Sequence, residues 1–337
     1  MQAGFLRCRK QRDIRPLKGK LMKDRIQGLH HITAIAGDAR RNFDFYTKTM
    51  GLRFIKRTVN FDDPQTYHFY FGDERGTPGT ILTFFPWGSV VRQGRRGAGM
   101  ATEIGYSVPE GSLDFWVKRF EAHNVIYNKP GERLGQRYLP FLDPDGLKLE
   151  LIEVKGDDRK GYETQEVQAD ATTRGLYNTT LTLNSIAGTA ALLTGIFGYR
   201  QVAQEGNRYR FATDAATTAN VIDLVELPSE QPGLGAGGTV HHIAFRVQDD
   251  AAQMRMREKI VAAGLHITPQ IDRNYFHSLY FREPGGVLFE IATDNPGFTV
   301  DEPLEELGRH LKLPPQFEAR RKEIEAHLVP LDDEPSK

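Results

Sequence analysis

Cysteine is nearly absent from this chain of 337 residues: Cys8 is the only one. A single thiol makes no intramolecular disulfide and no cysteine-based zinc site. It suits a reduced intracellular compartment, so a cytoplasmic location is expected. Net charge is absent too, with 44 Lys and Arg against 44 Asp and Glu. Nucleic acid and anionic membrane both require clustered basic surface, so neither is an expected partner. No run approaches the roughly 18 consecutive apolar residues that cross a bilayer, and no apolar signal-peptide core follows the start. Neither a Walker motif nor a serine-hydrolase elbow occurs, and the glycine-rich run 233–238 follows a proline without a strand-to-helix turn, which argues against a nucleotide site. What the chain does hold in quantity is histidine, with ten residues to account for.

At roughly 100 to 200 residues per domain, the length suggests two domains. Residues 1–27 carry nine Lys or Arg and two acids with hardly any apolar periodicity, and they read as a disordered basic arm. Regular patterning starts near Gly28, so translation from Met22 suits the sequence as well as translation from Met1. Beyond the arm, one order of elements repeats. A strand over 31–36 precedes a helix over 38–50, whose Phe43, Tyr46 and Met50 share a face; strands over 52–59, 66–71 and 80–85 follow. Gly51 stands where a helix end favours positive φ. The same βαβββ order recurs over 101–154, 176–226 and 240–292. The expected class is therefore α+β, with four modules paired into two domains. Modules one and two make an N-terminal domain over 28–154, and modules three and four a C-terminal domain over 175–298. A polar linker, 155–174, lies between them, and 299–337 forms a packing tail. One module cannot bury both faces of a curved sheet, so paired modules should close around a shared concave surface.

Laying the modules over one another exposes a metal-ligand pattern. Module one opens with Gly-Leu-His-His-Ile-Thr-Ala-Ile at 28–35 and module four with Thr-Val-His-His-Ile-Ala-Phe-Arg at 239–246. In each, an acid that opens the helix (Asp38 or Asp249) follows the dyad. A lone histidine is ordinarily a surface or hydrogen-bonded core residue; matching dyads at matching repeat positions are far more specific. Strand alternation assigns His241, Ile243, Phe245 and Val247 to the helix side, leaving His242 and Ala244 facing the concavity. The same rule puts His31 and Thr33 in the concavity and His30 with Ile32 and Ala34. On the last strand of module four, four residues after Gly286, Glu290 alternates with Phe289 and Ile291. A buried carboxylate there is costly unless a cation offsets it. His31, His242 and Glu290 thus make a two-histidine, one-carboxylate set, the ligand type of non-haem Fe(II) oxygenases. The position equivalent to Glu290 is Thr83 in module one, Glu150 in module two and Asp223 in module three. Of the other histidines, His68 reads as part of a pocket wall or a strand hydrogen bond, and His277 stands in the strand that leads to Tyr280.

Several further segments appear in order: Tyr-His-Phe-Tyr-Phe-Gly-Asp at 67–73, Gly-Thr-Pro-Gly-Thr at 76–80, Gly-Gln-Arg-Tyr at 135–138, Glu-Gly-Asn-Arg at 205–208 and Pro-Gly-Gly-Val-Leu-Phe-Glu at 284–290. With the two dyads, this series resembles the hydroquinone ring-cleaving dioxygenases of the vicinal oxygen chelate superfamily, the architecture also of glyoxalases and bleomycin-resistance proteins. The resemblance runs from Leu29 to about Phe317. It implies two vicinal oxygen chelate domains and an extradiol-type dioxygenase that opens hydroquinone-type rings, chlorinated and methylated ones included, with O2. It also implies Fe(II) on His31, His242 and Glu290, with His30, Thr33, His241, Arg273 and Tyr280 around ligand and substrate. The arm before Leu29 is longer than usual for the family, and Asn274 follows Arg273 where Gly is common.

Expected roles follow from chemistry. His241 and His30 are suited to acid–base work near neutral pH, Arg273 to stabilising an oxyanion, and Tyr280 to hydrogen-bonding or donating a proton. Thr33, Arg273, Tyr280 and His277 are the expected substrate-binding residues. Mn(II) could occupy the same ligands as Fe(II). The implied partners are a small aromatic diol and O2, with a homo-oligomer also open. The rival readings are a glyoxalase-like metal-dependent isomerase or lyase, an extradiol catechol dioxygenase, and a non-catalytic binder of a small aromatic. Thr83 argues against the isomerase, which normally has a fourth protein ligand there.

Overall fold

A computed structural model describes residues 25–88 and 90–331 of the chain. Module one comprises β1 (Leu29–Ala36), α1 (Ala39–Asp44) continuing as a π-helical turn (Phe45–Thr49), then β2 (Arg53–Val59), β3 (Tyr67–Gly72) and β4 (Ile81–Pro86). Module two has β5 (Met100–Val108), α2 (Leu113–Ala122), β6 (Gly131–Arg133), β7 (Gln136–Leu142) and β8 (Lys148–Glu153). Module three has β9 (Leu176–Leu183), α3 (Ala187–Leu192) with its own π-helical turn (Leu193–Phe197), β10 (Arg200–Glu205), β11 (Arg208–Ala212) and β12 (Val221–Glu226). Module four has β13 (Thr239–Val247), α4 (Asp250–Ala262), β14 (Ile271–Asp272), β15 (Phe276–Arg282) and β16 (Leu288–Pro296). The acids that follow the two histidine dyads are helix caps. Asp38 accepts the N–H of Arg41 and Asp249 that of Ala252, each satisfying a donor that the first helical turn leaves open.

The modules pair in an order that adjacency along the chain does not suggest. One eight-stranded sheet runs β14-β15-β16-β13-β1-β4-β3-β2 and the other β10-β11-β12-β9-β5-β8-β7-β6. Each concave sheet therefore joins module one to module four, or module two to module three, where sequence neighbours were expected to share one. Within every module the first strand pairs with the last and keeps one edge free. A free strand edge carries unpaired N–H and C=O groups, so it must find a partner. β1 meets β13 antiparallel and β5 meets β9 antiparallel, giving two equivalent seams.

Chain-adjacent modules instead meet through their helices. The Tyr46 hydroxyl of module one donates to Asp143 of module two, and Arg119 of α2 donates to the Thr49 carbonyl. In the other half, Phe197 of module three lies 4.8 Å from the ring of Phe245 on β13, and Thr189 donates to Glu283. Fully burying one such phenylalanine is worth roughly 1.5–3 kcal/mol. Residues 25–27, expected in the disordered arm, are part of the fold. Ile26 is fully buried in the core, and the Gln27 N–H donates to the Arg246 carbonyl. An isolated apolar residue at the end of a basic run gives little sign of this. The rest of the arm, with Cys8, lies outside the described residues. The described tail covers module one: Leu313, Ile324, Leu328 and Leu331 join its core, and the fully buried Lys56 ammonium donates to Asp301 at 2.6 Å. Among the described residues no helix is long and apolar enough to cross a membrane.

Candidate metal centre and cavity

Two β-bulges at the β1–β13 seam shape the site. Leu29 pairs with Phe245 and His31 with Ala244, so His30 is an extra residue on β1; Thr33 pairs with His242 and Ala34 with Val240, so His241 is an extra residue on β13. Simple alternation sends both extra residues to the helix side. The bulges turn each ring onto its neighbour instead: His30 Nδ1 lies 2.9 Å from His31 Nδ1, and His241 Nδ1 lies 2.8 Å from His242 Nδ1.

Between the dyads, His31, His242 and Glu290 converge from β1, β13 and β16, with one ligand atom of each within 4.8 Å of the others. His31 Nε2 is 3.3 Å and His242 Nε2 2.9 Å from Glu290 Oε2. Even so, His242 Nε2 and Glu290 Oε2 are buried without a hydrogen-bond partner, because closeness alone does not give the required angle. Leaving such atoms unsatisfied costs about 1–3 kcal/mol each, a cost that a cation among the three atoms would remove. Burial by itself would raise the Glu290 carboxyl, but the facing His31 and His242 rings outweigh it and hold the group well below the ordinary carboxylate range. Ser278 donates to the other carboxylate oxygen. Two imidazoles and an ionised carboxylate fit a divalent metal.

His30 controls which nitrogen of His31 is available. Burial, reinforced by the neighbouring His31, pushes the His30 imidazole well below its ordinary value, so the ring is neutral. Its Nε2 is 3.1 Å from the Thr293 carbonyl. A carbonyl only accepts, so Nε2 carries the proton and Nδ1 is the acceptor. His31 Nδ1 must then donate to it, which leaves His31 Nε2 as a lone pair directed at the ligand cluster. A backbone carbonyl thereby sets the tautomer of a candidate ligand one ring away. His241 has no such anchor: among the described residues its Nε2 makes no protein hydrogen bond, and the ring stands at the wall of a cavity.

That cavity has a volume of about 370 Å³ and is lined by His31, His242, His241, His68, Tyr70, Phe85, Trp87, Phe276, Arg273 and Tyr280, with Asn60, Phe61, Asp62 and Leu288 completing it. Its size and aromatic walls suit a small, flat organic molecule. The model of the Glyoxalase/Bleomycin resistance protein/Dioxygenase superfamily matches residues 28–151 and 175–291. The chain belongs to that superfamily. It is 47% identical to the "Putative ring-cleaving dioxygenase MhqO" of Bacillus subtilis, over 92% of this chain and 98% of that protein. It is 36% identical to the chlorohydroquinone/hydroquinone 1,2-dioxygenase of Sphingobium indicum, over 90% and 96%. A crystal structure of a putative dioxygenase from Bacillus subtilis superposes with a TM-score of 0.88 at 46% identity, covering 92% of this chain and 99% of that one. Glyoxalase I of Zea mays superposes at 0.61 with 14% identity, covering 86% and 100%, a likeness of fold alone.

Within this superfamily member, the residues proposed from sequence fall into two groups. His241, Arg273 and Tyr280 reach the cavity with the ligands. Burial and the nearby Glu290 push the Tyr280 hydroxyl up, so it stays protonated. Arg273 is aimed by a turn in which Asn274 has φ 65, a left-handed conformation that asparagine tolerates and glycine adopts freely. Three other residues miss the wall. His30 lies behind His31, as described. Thr33 is fully buried and bonds Thr83 at 2.8 Å, so it supports the wall without lining it. His277 is on the opposite face of β15 from Ser278 and Tyr280, bonded through Nδ1 to Asp250 at the start of α4, with its carbonyl accepting from Gln253. Its place three residues before Tyr280 was misleading because residues an odd number apart in a strand face opposite ways.

His68 stands in the cavity wall and in a cross-strand hydrogen bond, the two places its sequence setting suggested, while the full network that holds the far wall was missed. His68 Nε2 is 2.9 Å from Thr83 Oγ1, and its Nδ1 is 3.0 Å from the Tyr70 hydroxyl. The Thr83 hydroxyl, at the position where an isomerase carries its fourth ligand, is thus committed to Thr33 and His68. The alternation of Tyr67-His68-Phe69-Tyr70 carried the signal, since it places His68 and Tyr70 on one face opposite Thr83.

Proposed function

We propose that this chain is a metal-dependent ring-cleaving dioxygenase that opens hydroquinone-type rings with O2. The observation that carries the proposal is the trio His31, His242 and Glu290, two of whose ligand atoms lack a partner, at one side of an aromatic-lined cavity. The names of the two relatives quoted above support the reaction type and the class of substrate. His31, His242 and Glu290 would hold Fe(II), or Mn(II) on the same donors. Bound there, the metal supplies an electron path between diol and dioxygen and lowers the pKa of a coordinated hydroxyl.

The remaining work belongs to the chain's own groups. Phe85, Phe276 and Tyr70 hold the flat ring and exclude water. His241 is neutral because burial and the adjacent His242 push it down; with His242 donating from Nδ1 to His241 Nδ1, its proton sits on Nε2, where it can donate to a substrate oxygen. Arg273 places a fixed positive charge where an oxyanion develops, and the protonated Tyr280 can donate to the same oxygen. In a 1,4-diol no ring bond joins two hydroxyl-bearing carbons, so cleavage falls between one such carbon and its neighbour. The glyoxalase-like alternative lacks a fourth ligand, because Thr83 is a hydroxyl already engaged by two partners. Oxygen uptake by the Fe(II)-loaded protein, measured with hydroquinone, methylhydroquinone, chlorohydroquinone and catechol, tests the proposal; no uptake with any of these diols would reject it.

A further inference from the structure

The loop between β2 and β3 brings Asp62 to the mouth of the cavity, where it is the only carboxylate among the lining residues. Its Oδ2 is 3.4 Å from Arg273 Nη2, so the pair spans module one and module four. The two partners differ in setting: the Asp62 side chain is 78% exposed and that of Arg273 17%. The guanidinium carbon lies 5.4 Å from the Tyr280 ring and 5.8 Å from the Phe61 ring. With aromatic rings beside it, the guanidinium offers N–H groups as its route to a ligand.

We infer that Asp62 is a specificity-determining residue, which holds Arg273 and thereby selects neutral aromatic diols over diols that bear a carboxylate. An arginine fork at the wall of an aromatic pocket is a ready carboxylate receptor, through charge-assisted and often paired N–H bonds. Next to a divalent cation the attraction for an anion is stronger still. Asp62 opposes this in two ways. It occupies a guanidinium nitrogen, and it sets a like charge beside any carboxylate that reaches for the same group. Discrimination by a repulsive element is as effective as a new attraction to the preferred ligand. The inference relies on the proposed function for the kind of ligand, an aromatic diol, and not for the oxygen chemistry.

The test uses Asp62→Asn, which keeps the side-chain shape and removes the charge, with hydroquinone and 2,5-dihydroxybenzoate as the ligand pair. Calorimetric binding to the metal-free protein should show the affinity ratio shifting about tenfold toward the carboxylated diol. In the Fe(II)-loaded protein the ratio of kcat/KM values should shift in the same direction. Adding Arg273→Gln to Asp62→Asn should abolish the binding gain. A ratio that changes less than twofold in the metal-free protein, or a gain that survives loss of Arg273, would overturn the inference. If the dioxygenase reading itself failed, oxygen uptake would be absent with both diols while the metal-free binding ratio still reported on Asp62.

Discussion

Replacing His30 by phenylalanine separates the tautomer control of the metal centre from its packing. The ring volume is nearly kept, and so is the contact with Phe276, 5.1 Å away between centroids. Two hydrogen bonds are lost: the one to the Thr293 carbonyl and the one that fixes the proton on His31 Nδ1. Both sites are buried, so the fold should lose about 2–6 kcal/mol, from roughly 1–3 kcal/mol for each group left unpaired. The second effect is specific. Without an acceptor at Nδ1, His31 can carry its proton on Nε2 and donate to Glu290 Oε2, 3.3 Å away. A metal must then displace that proton before it binds. Loss of such an orienting partner typically weakens metal affinity about 10–100-fold, equivalent to about 1.4–2.7 kcal/mol. Anaerobic calorimetric titration of Fe(II) or Mn(II) into wild type and His30→Phe reads the affinity, and urea unfolding reads the stability. Affinity within twofold of wild type alongside a clear loss of stability would refute the tautomer argument and leave His30 as packing.

Other regions give equally definite expectations. Thr83→Glu places a carboxylate at the isomerase-type fourth-ligand position; metal affinity should rise at least about tenfold while oxygen uptake falls about 100-fold or more, since a fourth protein ligand takes one of the open positions that substrate and O2 need. Burial, with Asp145 adding to it, raises the Asp143 carboxyl to about 7. Folded protein thus keeps this proton between pH 4 and 7 while unfolded protein has lost it, so this group makes stability fall as pH rises through that window, by at most about 4 kcal/mol. Urea unfolding at pH 5 and pH 8 should show that slope in wild type and its reduction in Asp143→Asn. Gly238 has φ 76, and a Cβ there would lie 1.9 Å from the Asp145 carbonyl oxygen, so Gly238→Ala should cost more than about 3 kcal/mol in chemical denaturation.

Much of the candidate site was legible because the three candidate ligands keep the strand alternation even beside the bulges. Alternation assigns His31, His242 and Glu290 correctly to one face, and repetition of the modules supplies the register among them. The same rule fails at His30 and His241, where bulges break the period, and a bulge leaves no local mark in Leu-His-His-Ile or Val-His-His-Ile. It was neglected at His277, whose proximity to Tyr280 in sequence hid an opposite orientation. Which modules share a sheet was legible only through the candidate ligands, which draw modules one and four together; the strand pattern itself carries no sign of it. Every first strand offers a similar free edge, and the choice between them rests on long-range packing such as Phe197 on Phe245. Asp62 escaped notice because a turn of polar residues between two strands looks the same whether it faces solvent or a cavity mouth.

The most direct test of the account is a single-turnover oxygen measurement. Protein purified without metal, then loaded anaerobically with Fe(II), is mixed with limiting hydroquinone in an oxygen electrode while the aromatic absorbance is followed. A ring-cleaving dioxygenase with its metal on these residues consumes one O2 per ring lost, takes up none before Fe(II) is added, and loses the activity in His242→Ala. Absence of uptake with every diol, or an undiminished rate in His242→Ala, would contradict it.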